Sequence, residues 1–296
     1  MRVSNRGFAL LLMTPATLFL LALVAWPLIR LVVDSLYSSP VLGSGQRSFV
    51  GLHNYASALA SSRVRWAGLR TLGYTAFVVT AEFVFGLAVA LLFNALGNAA
   101  RVLRTVFLYP LMIAPVVAGL LWRFLMIDNF GILNALLARA GIIGSPNAVS
   151  WLSDPHIVLF SVALPDIWLT TSFMALVLFA GLQAIPADIF EAASLDGARG
   201  WRLLWRVILP MLRPVIAVAL IIRGVDAARA FDVILIQTNG GPQQASETLS
   251  LTTYLTMIRY GDVGQASAIS TMFLLVMLVA AVVGILTIWR PGGVQR

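Results

Sequence analysis

Six charged side chains interrupt stretches that are otherwise apolar, and they have the strongest potential for chemistry in this chain. They are Glu82, Asp166, Arg223, Asp226, Arg229 and Asp232. A charge inside a bilayer is costly, so each must face a helix bundle, a water-filled cavity or an oppositely charged partner. Such groups can bind a polar solute, or they can form ion pairs that hold helices together. For Glu82 the sequence leaves both interpretations open.

The last four charges alternate in sign at three-residue steps, from Arg223 to Asp232. Neighbouring members can meet along one helix, so this ladder can neutralise itself. Asp166 follows Pro165 and precedes Trp168 and Thr171, which places aromatic and hydroxyl groups at an interrupted point of an apolar stretch. Aromatic and hydroxyl groups beside charges can contact a polar solute, so we expect solute contacts here and along the ladder. The alternative is a kinked helix whose hydroxyls bond to its own carbonyls.

The composition is that of an integral membrane protein. Of 296 residues, 60% are hydrophobic and only 11% are charged, and the mean hydropathy is +0.92. The net charge of +8 fits loops that face the cytoplasm, so no nucleic-acid partner is expected. The chain has no cysteine, its two histidines are isolated, and it lacks a phosphate-binding loop. We therefore expect no catalytic residues, no metal site and no cofactor bound by this chain.

The hydropathy pattern predicts an all-α protein of one domain, residues 1–296, with six transmembrane helices. The predicted spans are 8–33, 70–93, 105–127, 157–183, 214–236 and 263–289. Pro110 and Pro115 are expected to kink the third span. Arginine is more frequent in the segments assigned to the inside, which include Arg2 and Arg296, so both termini are predicted to be cytoplasmic.

Residues 185–214 form a charged loop between the fourth and fifth spans. The pattern predicts a helix over 187–195 ended by Gly197, with Ile189, Ala192 and Ala193 on its docked face. A second helix is predicted over 199–209. Its apolar stripe contains Trp201, Leu204, Trp205 and Ile208. Pro210 and Pro214 are then expected to break the helix, which leaves two short amphipathic helices on the cytoplasmic surface.

This loop resembles the EAA motif of the permease subunits of ABC importers. Glu191-Ala192-Ala193, three residues, Gly197, nine residues and Val207-Ile208-Leu209-Pro210 reproduce the family spacing, with Val207 in place of Ile. Two further stretches are similar to sugar-uptake permeases. Residues 49–55 resemble F-x-G-L-x-N-Y, and Phe231-Asp232 with residues 238–242 resembles F-D…T-G-G-G-P, with Asn239 in place of the first Gly.

The resemblance implies a carbohydrate-type permease subunit, as in maltose, glycerol-phosphate and trehalose uptake, in the inner membrane of a bacterium. Its implied partners are a second homologous permease, a cytoplasmic ATPase dimer that binds ATP and Mg²⁺, an extracytoplasmic solute-binding protein or lipoprotein, membrane lipid and a sugar-like solute. The residues that it implies for ATPase docking are Glu191, Ala192, Ala193, Leu195, Asp196, Gly197 and Pro210.

Other classes of function share some of these features. An ion-coupled secondary transporter of a small polar solute would also carry acids within its spans, and an ABC importer for a non-sugar solute would share the loop. A membrane scaffold or sensor subunit would tolerate changes at Glu191 and Gly197 without losing uptake.

Overall fold

The computed structural model describes residues 5–39, 47–128 and 130–288, and its regular structure is helical. The helices are α1 (Asn5–Leu20), α2 (Trp26–Ser35), α3 (His53–Ala60), α4 (Ser62–Leu96), α5 (Arg101–Leu108), α6 (Pro115–Leu125), α7 (Ile132–Arg139), α8 (Val158–Ser161), α9 (Leu164–Gln183), α10 (Ala187–Leu195), α11 (Trp201–Leu203), α12 (Leu209–Ala228), α13 (Asp232–Thr238), α14 (Leu249–Ile258) and α15 (Val263–Ile288). No β-strand occurs in these residues, only one bridge between Tyr37 and Phe49. Arg2, Trp289 and Arg296 lie outside the described residues, so the placement of the termini stays a prediction.

Five helical segments are long and apolar enough to cross a membrane. They are Leu12–Ser35, Ser62–Leu96, Val158–Gln183, Trp201–Ala228 and Val263–Leu286. A sixth is present if the pair Arg101–Met112 and Pro115–Leu125, which meet at 96°, counts as one span. The all-helical class is confirmed. The kink expected in the third span is present at Pro115, because Ala114 takes an extended conformation before it, as the proline ring favours.

The fifth span differs most from its prediction. The helix runs from Trp201 through a π-helical turn (Leu204–Ile208) to Ala228, so Pro210 and Pro214 do not break it. Pro210 lies in the first turn after the π-helical turn, and within a bilayer an interrupted helix would leave backbone groups without partners. The span also ends at Ala228 rather than 236, and the chain starts a new helix at Asp232.

The chain divides into two compact units, Met1–Arg65 with Thr252–Val276, and Trp66–Leu251 with Met277–Arg296. In the first unit, the amide of the buried Asn54 donates to the carbonyls of Ser35 (2.8 Å) and Tyr37 (2.9 Å) at the end of α2. Carbonyls at a helix end have no partner within the helix. The stretch 49–55 therefore supplies a polar cap to the first span.

The second unit is built around α4, α9 and α12. Its apolar core contains Leu87, Ala90, Met174, Leu178, Leu182, Leu204, Ile208, Leu212 and Ala219. Helices α4 and α9 approach closely at Gly86, where an added Cβ would lie 2.7 Å from Cγ of Met174 and 3.1 Å from the backbone nitrogen of Ala175. Small residues at such points let membrane helices approach each other. Gly86 lies one turn beyond Glu82 and sets the distance at which Glu82 meets α9.

Substitution of Gly86 by Ala is expected to destabilise the protein by about 1–3 kcal/mol, because the methyl group forces α4 and α9 apart. The measurement is thermal unfolding of the purified chain in detergent. Gly73→Ala is the matched control, since it lies on the same helix and its Cβ would come no closer than 3.9 Å to Leu159. Equal unfolding temperatures for the two variants would contradict the close approach.

Candidate functional site

A buried ion pair joins α4 to α12. The Arg223 guanidinium donates from Nε to Oε2 of Glu82 and from Nη2 to Oε1 of Glu82, both at 2.7 Å. The Glu82 side chain is fully buried and that of Arg223 is 3% exposed. The Thr170 hydroxyl on α9 also donates to Glu82. Such a two-bond pair is strong and fixes orientation, so the geometry gives Glu82 a structural partner.

Two further carboxylates contact the same guanidinium. Asp166 accepts from Nη2 of Arg223 at 3.3 Å and from the Tyr74 hydroxyl at 3.1 Å. Asp226 accepts from Nη1 of Arg223. We call the side chains of Glu82, Asp166, Arg223 and Asp226 the ion network. Because its four members come from α4, α9 and α12, the ion network fixes how these three helices lie against each other.

Exposure rises from one side of the ion network to the other. Glu82 and Arg223 are buried, whereas the Asp226 side chain is 55% exposed and that of Arg229 is 64% exposed. Arg229 donates to Asp226 at 3.4 Å. The Asp226–Arg229 edge is therefore open, whereas the Glu82–Arg223 pair is enclosed by the helices.

The predicted charge ladder forms only in part. Arg223, Asp226 and Arg229 interact in series, but Asp232 lies beyond the break after Ala228 and is the first residue of α13. A carboxylate in the first turn of a helix is stabilised by the helix dipole, which favours a new helix here over a continued ladder.

Trp168 and Thr171, the two solute contacts predicted after Asp166, have different surroundings. Trp168 is half-buried and its ring lies 6.2 Å from that of Trp122. Thr171 is buried, and its hydroxyl donates to the carbonyl of Ile167. Thr171 therefore follows the alternative in which a hydroxyl bonds to a carbonyl of its own helix. Its hydroxyl proton is not free to bind a solute.

Sequence reasoning missed Tyr74 and Thr170 as members of this site. Thr170 lies four residues after Asp166, and Tyr74 lies eight residues before Glu82, so each shares a helix face with an acid that had been singled out. Helical spacing from those acids would have identified both.

The charged loop contains helix α10 with the predicted bounds. The N–H of Ala198 donates to the carbonyl of Ala193 (2.9 Å), and that of Gly197 donates to the carbonyl of Ser194 (3.1 Å). Gly197 has φ +72°. These two bonds with a left-handed residue form a Schellman motif, which gives the helix a defined end.

One face of α10 is packed and the other is open. Phe190 packs on the apolar core of the second unit, and Ala193 is 7% exposed. Glu191, Asp196 and Gly197 are exposed, and Leu195 is 89% exposed. Two expectations need correction. Ala192 is exposed to solvent rather than packed against the rest of the chain. Ala193 is enclosed by its own chain, so a partner cannot contact it in this structure.

The second half of the loop also differs from its prediction. Leu204 and Ile208 are buried, but Trp201 is 72% exposed and Trp205 is 59% exposed, with their rings 6.1 Å apart. The π-helical turn at Leu204–Ile208 changes the number of residues per turn, so a stripe drawn with the α-helical period does not stay on one face. Pro210 lies half-buried in the same helix, outside the exposed surface of α10.

No group of three or more His, Cys, Asp or Glu that could hold a metal ion occurs within the part of the chain that the structure describes. The three carboxylates of the ion network all pair with the Arg223 guanidinium.

Comparison with known proteins gives consistent results. Residues 82–289 match the family described as "Binding-protein-dependent transport system inner membrane component". The trehalose/maltose transport system permease protein MalF of Thermococcus litoralis is 36% identical over 233 residues, which cover 79% of this chain and 77% of that protein. The trehalose transport system permease protein SugA of Mycobacterium tuberculosis is 36% identical over 272 residues, covering 92% and 85%.

The fold also matches a solved structure. A chain in the crystal structure of a bacterial alginate ABC transporter, in complex with an alginate pentasaccharide-bound periplasmic protein, superimposes with a TM-score of 0.79. The match covers 95% of this chain and 93% of that one at 21% identity.

Proposed function

This chain belongs to the family of binding-protein-dependent transport system inner membrane components, and we propose that it carries a sugar or a sugar-like solute. It is a multi-pass permease subunit of an ABC importer in the bacterial inner membrane. We infer that a second homologous permease completes the pathway. We also infer that ATP and Mg²⁺ bind only in a separate ATPase dimer, while an extracytoplasmic binding protein delivers the solute.

The observation that carries the proposal is the open face of α10. This helix lies between two helices long enough to span the membrane, and Phe190 fixes it to the core that those helices share. Its exposed residues form a surface that a cytoplasmic partner can bind, and they are Glu191, Leu195, Asp196 and Gly197. A push on α10 would reach α9 and α12 through packed side chains, which is what coupling of ATP hydrolysis to alternating access requires.

The solute is proposed to contact the exposed edge of the ion network. Asp226 and Arg229 offer acceptors and donors side by side. On α9, Asp166 accepts from Arg223, and Trp168 follows it by two residues. Charged groups that pair with hydroxyls, together with an aromatic ring, suit a sugar. Glu82 and Arg223 would hold this edge in place. The named solutes of the two relatives, trehalose and maltose, support a neutral sugar.

The test is uptake of radiolabelled trehalose and maltose into proteoliposomes that contain this chain, its second permease and its ATPase, with the binding protein added outside. We expect uptake that needs both enclosed ATP and the binding protein. Uptake by this chain alone under an ion gradient would instead support a secondary transporter. Unchanged uptake after removal of this chain would support a scaffold or sensor.

A further inference from the structure

A second polar site lies in the same compact unit, apart from the ion network. A cavity of ≈ 530 Å³ opens where α6 and α13 end, and Arg123, Asp128, Ser153, Gln237 and Thr238 are among the residues that line it. Arg123 lies near the outer end of the third predicted span, and the other four residues lie in segments predicted to be on the outer side. The cavity is large enough for a small carbohydrate rather than for water alone.

Two side-chain oxygens at this cavity lack hydrogen-bond donors. Gln237 is 3% exposed, and its Nε2 donates to the carbonyls of Val162 and Val233, while its Oε1 has no partner among the described residues. Asp128 accepts from the Ser153 hydroxyl through Oδ2, and its Oδ1 likewise has no partner in residues 5–39, 47–128 and 130–288. A buried acceptor without a donor is unfavourable. Both oxygens would therefore gain from a hydrogen-bond donor. Each exposes less than 1 Å², so a ligand in the cavity would reach it after a rotation of the side chain.

Arg123 supplies the complementary donors. One of its N–H groups donates to the carbonyl of Ile236 at 3.0 Å, and the side chain is otherwise exposed beside the cavity. Because the charges of Arg123 and Asp128 balance, the cavity favours a neutral ligand over an ion. Hydroxyl groups both donate and accept, so a polyhydroxylated molecule matches this set of atoms.

The bond from Gln237 to Val162 places the cavity beside the start of α9. Val162 lies just before α9, whose 20 residues extend over about 30 Å and lead at their far end to the loop that carries α10. The cavity is therefore at the end of α9 opposite α10. Asp166 of the ion network is only four residues beyond Val162, about 6 Å along the helix.

We propose that this cavity is an outer subsite that holds a neutral, polyhydroxylated solute before the solute reaches the ion network. This inference rests on the proposed function, because it takes the solute to be a sugar that arrives from the side opposite α10. It adds Arg123, Asp128 and Gln237 as solute-contacting residues.

The test uses the absence of native cysteine in this chain. The variant Ser153→Cys is prepared in the complete importer in nanodiscs, and modification of its thiol by a neutral maleimide is timed with binding protein alone and with binding protein plus saturating trehalose or maltose. We expect sugar to slow the modification about tenfold, as loss of access to an occupied site requires. An additional Asp128→Asn change, which replaces an acceptor by a donor, should remove most of that protection.

Arg139→Cys is the matched control, because Arg139 is exposed at the end of α7 and does not line the cavity. Its modification should not respond to sugar. Equal modification of the Ser153→Cys thiol with and without sugar, in an importer that still takes up that sugar, would overturn the proposal. Full protection by sugar-free binding protein would also overturn it. If the unmodified importer shows no ATP-dependent sugar uptake, the proposed function itself fails.

Discussion

The variant Arg223→Met is expected to lose about 3–5 kcal/mol of stability, because it leaves Glu82 as an uncompensated buried charge. This is a large fraction of the 5–15 kcal/mol, roughly, that holds a typical domain folded. The measurement is the free energy of unfolding of the purified chain by denaturant titration in detergent. We expect the single variant to be recovered in low yield and to unfold at lower denaturant than the unaltered chain.

Two further variants distinguish the stability lost by breaking the buried pair from that lost by removing any arginine. Arg229→Met removes an exposed guanidinium, so it should cost less than about 1 kcal/mol. The double variant Glu82→Leu, Arg223→Met replaces the buried pair by apolar groups and should recover most of the lost stability. Its uptake should stay reduced, because Asp166 and Asp226 lose the guanidinium that orients them. Equal stability of Arg223→Met and Arg229→Met would refute the structural role of the pair.

The partner of Glu82 illustrates which part of the site could not be predicted from sequence. The individual charges are visible, because each stands in an apolar stretch. Arg223 is 141 residues from Glu82, however, and their pairing depends on which faces of α4 and α12 turn toward each other. The local prediction, a ladder from Arg223 to Asp232, was wrong in part. Arg223 keeps its local partner Asp226 and also binds Glu82, but the helix break after Ala228 separates Asp232 from the ladder.

Helix α10 illustrates what could be predicted. Gly197 is a local signal that acts through its own backbone conformation, and the predicted end of the helix follows from it. The prediction for the next helix was wrong. Pro210 and Pro214 are also local signals, but a broken helix costs more in a bilayer than a missing N–H. The helix therefore continues through a π-helical turn, which no residue type in the sequence indicates.

The variant Gly197→Asn is expected to reduce solute uptake by at least about tenfold while ATP hydrolysis continues. Asparagine tolerates the left-handed conformation that Gly197 adopts, and nothing lies within 4 Å of a Cβ at this position, so the loop itself should fold unchanged. If the ATPase binds the open face of α10, the added side chain lies between the two proteins and weakens their contact. ATP hydrolysis and sugar uptake are measured on the same proteoliposomes.

Gly141→Asn is a closely matched control. Gly141 ends α7 with φ +70°, the same pair of backbone bonds (Gly141 to Ala138, Ile142 to Leu137) and open space around a Cβ, but it belongs to the segment on the opposite side from α10. Both variants therefore impose the same local backbone demand, and only Gly197→Asn adds bulk at the proposed ATPase contact. Loss of uptake in both variants would assign the effect to the backbone. Full uptake in Gly197→Asn would show that the end of α10 is not where the ATPase transmits its motion.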